Sequence, residues 1–165
     1  MKTVKPEELS VAQFQPFGAY ANLVDPDAEK LGAPPVEFFR DMVQQNSGGT
    51  AAVSYSTCRV EKRKMIIDTS EYHSSACEGI LPLDNDVLIH VAPSVPSDEV
   101  PVDRIRAFLV PRGTMAVLRP GVWHHAPFTV NDKPANVLIV LPERTYANDS
   151  VTVQHTDADK VQINA

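Results

Sequence analysis

From residue 50 onward the chain is a series of short apolar runs separated by turn chemistry, with no long amphipathic helix between them. The runs cover residues 50–60, 64–73, 87–92, 105–110, 114–118, 122–130, 137–141 and 151–155, and each has the length and composition of a strand. The breaks between them are proline, glycine, asparagine and aspartate clusters at 82–86, 93–101, 111–113 and 131–134. Proline cannot donate to a sheet ladder and interrupts helices, so fourteen prolines against seven glycines favour many short strands over long elements. Evenly spaced strands without crossover helices imply an all-β sandwich or barrel. Residues 136–141 are apolar on both faces, as a central strand should be.

The first 49 residues read differently. Ser10 is placed to cap a short helical turn over 11–14, which Pro16 and Gly18 stop. Residues 20–24 suggest a strand and 25–35 a loop; 36–43 stay open between strand and short helix, and 44–49 form a polar loop. The expected organisation is one domain: an extension (1–49) packing on a barrel core (50–155), then a tail (156–165).

A chain of 165 residues, 43% hydrophobic and 22% charged, can build an ordinary soluble core. Its net charge of −6 opposes nucleic acid and anionic membranes as partners. No run approaches the roughly 20 apolar residues of a membrane span. The N-terminus lacks the apolar stretch of a secretory leader. Cys58 and Cys77 make neither a disulfide framework nor a zinc-ribbon spacing, so reduced thiols and a cytoplasmic location are expected.

Two segments carry candidate chemistry. In Glu71-Tyr72-His73 the outer residues leave the same face of a strand, and Glu78 follows a short polar turn. In Pro120-Gly121-Val122-Trp123-His124-His125 a turn delivers two adjacent histidines, only one of which can point into a barrel. His124 is selected because Ala126 and Phe128 share its face; His125 then takes a supporting or substrate-side position, and Trp123 a packing or rim position. Two histidines and two carboxylates converging inside a barrel make a metal site or an acid–base site. His90 reads as an interior hydrogen-bonded histidine and His155 as a solvated one. Arg59, Arg106 and Arg119 are possible anchors for a substrate carboxylate.

On these residues the chain resembles the cupins, the small jelly-roll barrel superfamily. Its first motif, His-x-His, four residues, Glu, six residues, Gly, is matched by Glu71, His73, Glu78 and Asn85, with Glu for the first His and Asn for the Gly. Its second is echoed by Gly113, Pro120, Gly121 and His124. Within cupins the chain resembles the ureidoglycolate lyase family, through Phe14-x-x-Phe17-Gly18, Arg59, Glu71-x-His73, Pro82-Leu83-Asp84, Val91-Ala92-Pro93, Arg106-Ala107-Phe108 and Gly121-Val122-Trp123-His124-His125. It departs from that family at 74–78, where His-Pro-Leu-Gly-Ser/Thr-Gln is usual, and at 126–127. The resemblance implies a jelly-roll lyase that cleaves ureidoglycolate to glyoxylate and urea, acting as a homodimer. It would hold a divalent zinc, manganese, iron or nickel ion on Glu71, His73, Glu78 and His124, and need no organic cofactor. Catalytic roles then fall to His124, Glu78 and Glu71, and substrate contacts to Arg59, Trp123 and His125. Another metal-dependent cupin activity, on a sugar or hydroxy acid, and a non-catalytic binding module are the alternatives.

Overall fold

The computed structural model describes residues 1–49 and 52–165. Its strands in chain order are β1 (Lys2–Val4), β2 (Pro6–Glu8), β3 (Gly18–Asn22), β4 (Lys30–Ala33), β5 (Val36–Phe39), β6 (Val53–Val60), β7 (Ile66–Ile67) and β8 (Thr69–Tyr72). They continue with β9 (Glu78–Pro82), β10 (Val87–Val91), β11 (Arg106–Val110), β12 (Thr114–Leu118), β13 (Phe128–Thr129), β14 (Ala135–Pro142), β15 (Val151–Gln154) and β16 (Val161–Ile163). Two short helices, α1 (Val11–Phe14) and α2 (Thr145–Asn148), and a 3-10 turn over Val102–Arg104 complete the chain. The start of the 50–60 run lies outside the described residues.

One sheet is ordered β3-β12-β9-β14-β6 and a second β13-β10-β11-β2. They face each other as a jelly roll whose ladders do not close into a continuous barrel. Strand alternation sends Ile80, Leu118, Val137, Ile139 and Leu141 from the first sheet against Val87, Ile89, Val91, Phe108 and Val110 from the second. The intervening residues of the second sheet, Leu88, Ala92, Ala107 and Phe128, point outward and are covered by Ile67, Val161 and Ile163 of β7 and β16. The molecule therefore has two apolar cores separated by one sheet.

The N-terminal segment is more than a covering. β2 is an edge strand of the second sheet, and β3 of the first. A Cβ at Gly18 would lie 1.9 Å from the Val117 carbonyl oxygen, so this approach admits only glycine. Ser10 caps α1 as its sequence suggests, its hydroxyl accepting from the Gln13 amide at 3.3 Å. Phe14, fully buried, is pinned by that turn edge-on to Phe108 at 5.3 Å. Replacing Ser10 with alanine should cost about 1 kcal/mol in urea unfolding, the usual value of a lost cap. Within 36–43 only Val36–Phe39 is strand, β5, and it pairs with β4 (Lys30–Ala33), which lies in the 25–35 stretch expected as loop.

Two expected strands are broken, each for a pairing reason. The 64–73 run divides at Asp68, where β7 pairs with β16 and β8 turns to β15. In the 122–130 run only Trp123, His124 and β13 are bridged or laddered. Ala92 faces Trp123 while Leu88 faces Phe128, so this strand carries one more residue than its partner over the interval. That bulge puts Phe128 on the face of Trp123, not of His124 as unbroken alternation requires.

His155 is buried, not solvated, and joins the C-terminal segment to the outer core. The Ser70 hydroxyl lies 2.9 Å from His155 Nε2 and 3.1 Å from His90 Nε2. His155 Nδ1 donates to the Asp159 carbonyl, so its Nε2 accepts from Ser70, and Ser70 accepts from His90. Burial first, then the positive charges of His124, His125, His155 and Arg63, holds His90 well below the usual histidine range. Burial likewise lowers His155, against the pull of Asp159 and Asp68. The unfolded chain thus binds more protons than the native one as pH falls through the ordinary histidine value of about 6.5. Stability from these two groups is complete above that pH and lost below it. The melting temperature should fall between pH 7 and 5, and His155→Gln should flatten that fall.

Candidate metal centre

β8 alternates strictly. Ser70 and Tyr72 face the outer core, where Tyr72 meets Trp123 edge-on at 4.7 Å, and Glu71 faces the other way. Glu71 and His124 are directly opposed: the Glu71 amide donates to the His124 carbonyl at 2.6 Å, and the His124 amide to the Glu71 carbonyl at 2.8 Å. Such a pair projects both side chains to one side of the sheet. Gly121 holds the turn before it at φ +77°, with its amide donating to the His73 carbonyl at 2.7 Å. Three backbone hydrogen bonds therefore tie the two histidine segments together. Glu78 opens β9, paired with Leu118 of β12, and completes the group from the first sheet.

Ligand atoms of Glu71, His73 and His124 lie within 4.8 Å of one another. Glu78 Oε2 stands 3.0 Å from His73 Nε2 and 3.0 Å from His124 Nε2. His73, Glu78 and His124 are buried, and Glu71 is half-buried.

The proton inventory of this group decides what it can hold. His73 Nδ1 donates to the Asp149 carbonyl at 2.6 Å, and His124 Nδ1 to the Val122 carbonyl at 2.8 Å. In neutral imidazoles both Nε2 atoms are then bare lone pairs, and both are aimed at a carboxylate oxygen. Three acceptors converging at 3.0 Å repel unless a cation lies among them, as protons or as a metal ion. Ligand atoms about 3 Å apart are what bonds of about 2.0–2.2 Å to one divalent ion produce. Two imidazoles with Glu71 form the group within 4.8 Å, and Glu78 contacts both imidazoles without joining that group. Two imidazoles with a carboxylate fit such an ion, and each imidazole is oriented from behind by a backbone carbonyl.

Without metal, protons fill that role. Burial would raise the Glu78 carboxyl, but the His124 charge and the hydrogen bonds from His124 and His73 bring it down to about 2. Burial would equally lower His124, yet the Glu78 charge and hydrogen bond, with the Val122 carbonyl and Glu71 adding, raise it to about 9. A divalent ion must therefore displace a proton from His124, and its binding should tighten as pH rises toward 9. Isothermal titration of metal at pH 6.5 and 8.5 measures this; the affinity should be higher at pH 8.5.

Tyr146 lies over the centre, with its ring edge-on to His73 at 6.3 Å. Its phenol is pushed up to about 12, first by partial burial and then by Glu78, Glu71 and Cys58. Burial also raises the Cys58 thiol, with Glu78 adding, so Cys58 borders the same group. Nothing in the sequence motifs pointed to Tyr146. It lies on a one-turn helix in a stretch without strand periodicity, 22 positions after His124.

Other expected contacts lie elsewhere. Arg59 is exposed on the outer face of β6, beside Asn136 and near Asp84. Alternation there turns Cys58 and Val60 inward instead. Arg106 is committed to Glu7 and Gln13 and stacks on Phe108, and Arg119 is exposed in the turn before Gly121. Trp123 is 1% exposed in the outer core, across the sheet from the carboxylates, and is a packing residue. His125 is half-buried; burial lowers its imidazole, against the charge of Glu71 and with that of Arg63. Arg63 donates to the Ala126 and Pro127 carbonyls and lies over the Phe128 ring at 3.8 Å, a placement no motif signalled.

A jelly roll with two histidines and two carboxylates gathered from two motifs defines a cupin. A family model described as ureidoglycolate lyase matches residues 1–164, and the chain belongs to that family. Among curated proteins none matches it. Of solved structures, a dTDP sugar isomerase from Desulfovibrio desulfuricans G20 is similar over 87% of this chain and 89% of its own, at 12% identity and TM-score 0.54. Oxalate decarboxylases from Bacillus subtilis (14% identity, 66% of this chain, 26% of that, TM-score 0.44) and Lactobacillus farciminis (13%, 76%, 33%, 0.46) are also similar. The chain spans about a quarter to a third of the length of those decarboxylases. At these identities the similarity concerns the fold.

Proposed function

We propose that the protein cleaves the carbon–nitrogen bond of ureidoglycolate to give glyoxylate and urea, as an amidine-type lyase with a divalent metal. Family membership over 1–164 supports the reaction, and the converging lone pairs of His73, His124 and Glu78 support the metal. Glu71, His73, Glu78 and His124 would hold the ion, and the donor set suits zinc, manganese, iron or nickel. When bound, it would lower the pKa of the substrate hydroxyl and balance the carboxylate.

The chain's own groups divide the remaining work. Glu71 accepts only 3.5 Å contacts from Ser150 and Thr152, so its carboxylate is the most loosely held of the group and the one facing the exit. It takes the hydroxyl proton and hands it to the leaving nitrogen: the carbonyl forms, the carbon–nitrogen bond breaks, and the nitrogen departs with the bonding pair and that proton as urea. Glu78, held between His73 and His124, fixes both rings. Purified protein supplied with each of these metals should release glyoxylate and urea in equal amounts; none from any metal form would refute the reading.

A homodimer accompanies this proposal. The β4–β5 hairpin exposes Leu31, Val36 and Phe38, at 53, 74 and 61%, and a lone two-stranded hairpin gains little stability in water. Light scattering should give twice the 18.1 kDa chain mass, and Phe38→Ser should lower it toward one.

A further inference from the structure

We propose that the Tyr146 hydroxyl is the hydrogen-bond donor that recognises the ureido oxygen of the substrate; this rests on the ureidoglycolate reading above. The centre beneath it consists of acceptors: two imidazole nitrogens whose other nitrogens are already spent on carbonyls, and two carboxylates. A ureido acid brings its own acceptors, a carboxylate and a carbonyl oxygen. The carboxylate finds its cationic partner in the loaded centre. The neutral carbonyl oxygen needs an N–H or O–H donor, and Tyr146 carries one above His73.

Among the described residues the hydroxyl makes no hydrogen bond, and the residue is 62% exposed. The backbone that carries the residue is anchored. Its helix α2 is preceded by Arg144, a non-glycine residue in the left-handed region at φ 58°. The buried Thr145 hydroxyl donates to the Pro142 carbonyl at 2.8 Å. Asp149, just past the helix, accepts from the Ser74 amide, the Ser74 hydroxyl and the Ser75 amide at 2.6–2.8 Å. Its carbonyl accepts from His73 Nδ1. The segment that carries Tyr146 is therefore bolted to the loop that carries His73, and ring and imidazole keep their relation. Left-handed backbone at a non-glycine residue is costly and persists where the surroundings enforce it.

The test compares two unreactive ligands on metal-loaded protein by isothermal titration. Oxalurate carries the ureido group and a carboxylate, whereas oxamate lacks the terminal carbamoyl. Tyr146→Phe keeps the ring against His73 and removes only the hydroxyl. It should weaken oxalurate binding about 10-fold, the worth of one hydrogen bond to a ligand. Oxamate affinity, metal content and melting temperature should not change. Equal affinities for oxalurate in the two proteins, or equal losses for both ligands, would overturn the role of Tyr146. Wild-type protein that binds neither ligand and releases no glyoxylate would instead overturn the ureidoglycolate reading, and this role with it.

Discussion

Replacing His124 with alanine should lower kcat for glyoxylate release by about two orders of magnitude or more, since loss of even a group behind a metal ligand costs about 10- to 100-fold. Two effects act together. The centre loses a ligand whose Nε2 stands 3.0 Å from Glu78, and the buried Glu78 carboxylate keeps only the His73 imidazole as a partner at that distance. Losing one member of a buried pair typically costs about 3–5 kcal/mol, so the metal-free variant should also melt lower than the wild type. Metal content after dialysis and kcat of the reloaded protein check both parts. His125→Ala, one residue on, should retain its metal, since its side chain is not among the converging ligand atoms.

The second large effect is purely structural. Trp123→Ala removes a 1% exposed indole packed between Tyr72 and the covering strands. Aromatic-to-alanine changes in cores cost about 3–5 kcal/mol, a large share of the total for a domain of this size. Urea unfolding should show that loss, with Trp123→Phe falling between. KM of the folded fraction should stay close to wild type, because the ring lies across the sheet from the carboxylates.

The contrast between these two residues shows which parts of the chain were legible. Glu71 and His73 are read from two-residue periodicity; β8 ends at Tyr72, so Glu71 lies within the strand and His73 one residue past it. His124 was selected over His125 on a parity argument that fails downstream: the bulge between Trp123 and Phe128 reverses the face of Phe128. A bulge inserts one residue without changing composition, so alternation cannot reveal it. Arg59 was misplaced for the opposite reason. β6 alternates regularly, but which of its faces is interior depends on β14 and β9, its partners from far along the chain.

The fold class was readable because turn residues and short apolar runs are local features. The strands missed, β1, β2, β4, β9 and β16, are short; β4 lies in the stretch read as loop, and β1, β2 and β16 form through pairings between distant segments, such as β2 with β11 and β1 with β16. His155 was misjudged for the same reason. Its polar neighbours suggest solvent, but Ser70, 85 positions away, draws it into the outer core. Tyr146 could not be found from spacing at all, since one turn of helix places it.

The converging lone pairs of His73, His124 and Glu78 stand or fall on where a metal goes. Crystals grown with a divalent transition metal and measured at its absorption edge answer this in one anomalous difference map. One peak per chain is predicted, about 2.0–2.2 Å from both Nε2 atoms and a carboxylate oxygen. A map with no peak there, with Glu78 still 3.0 Å from both imidazoles, would contradict the metal centre.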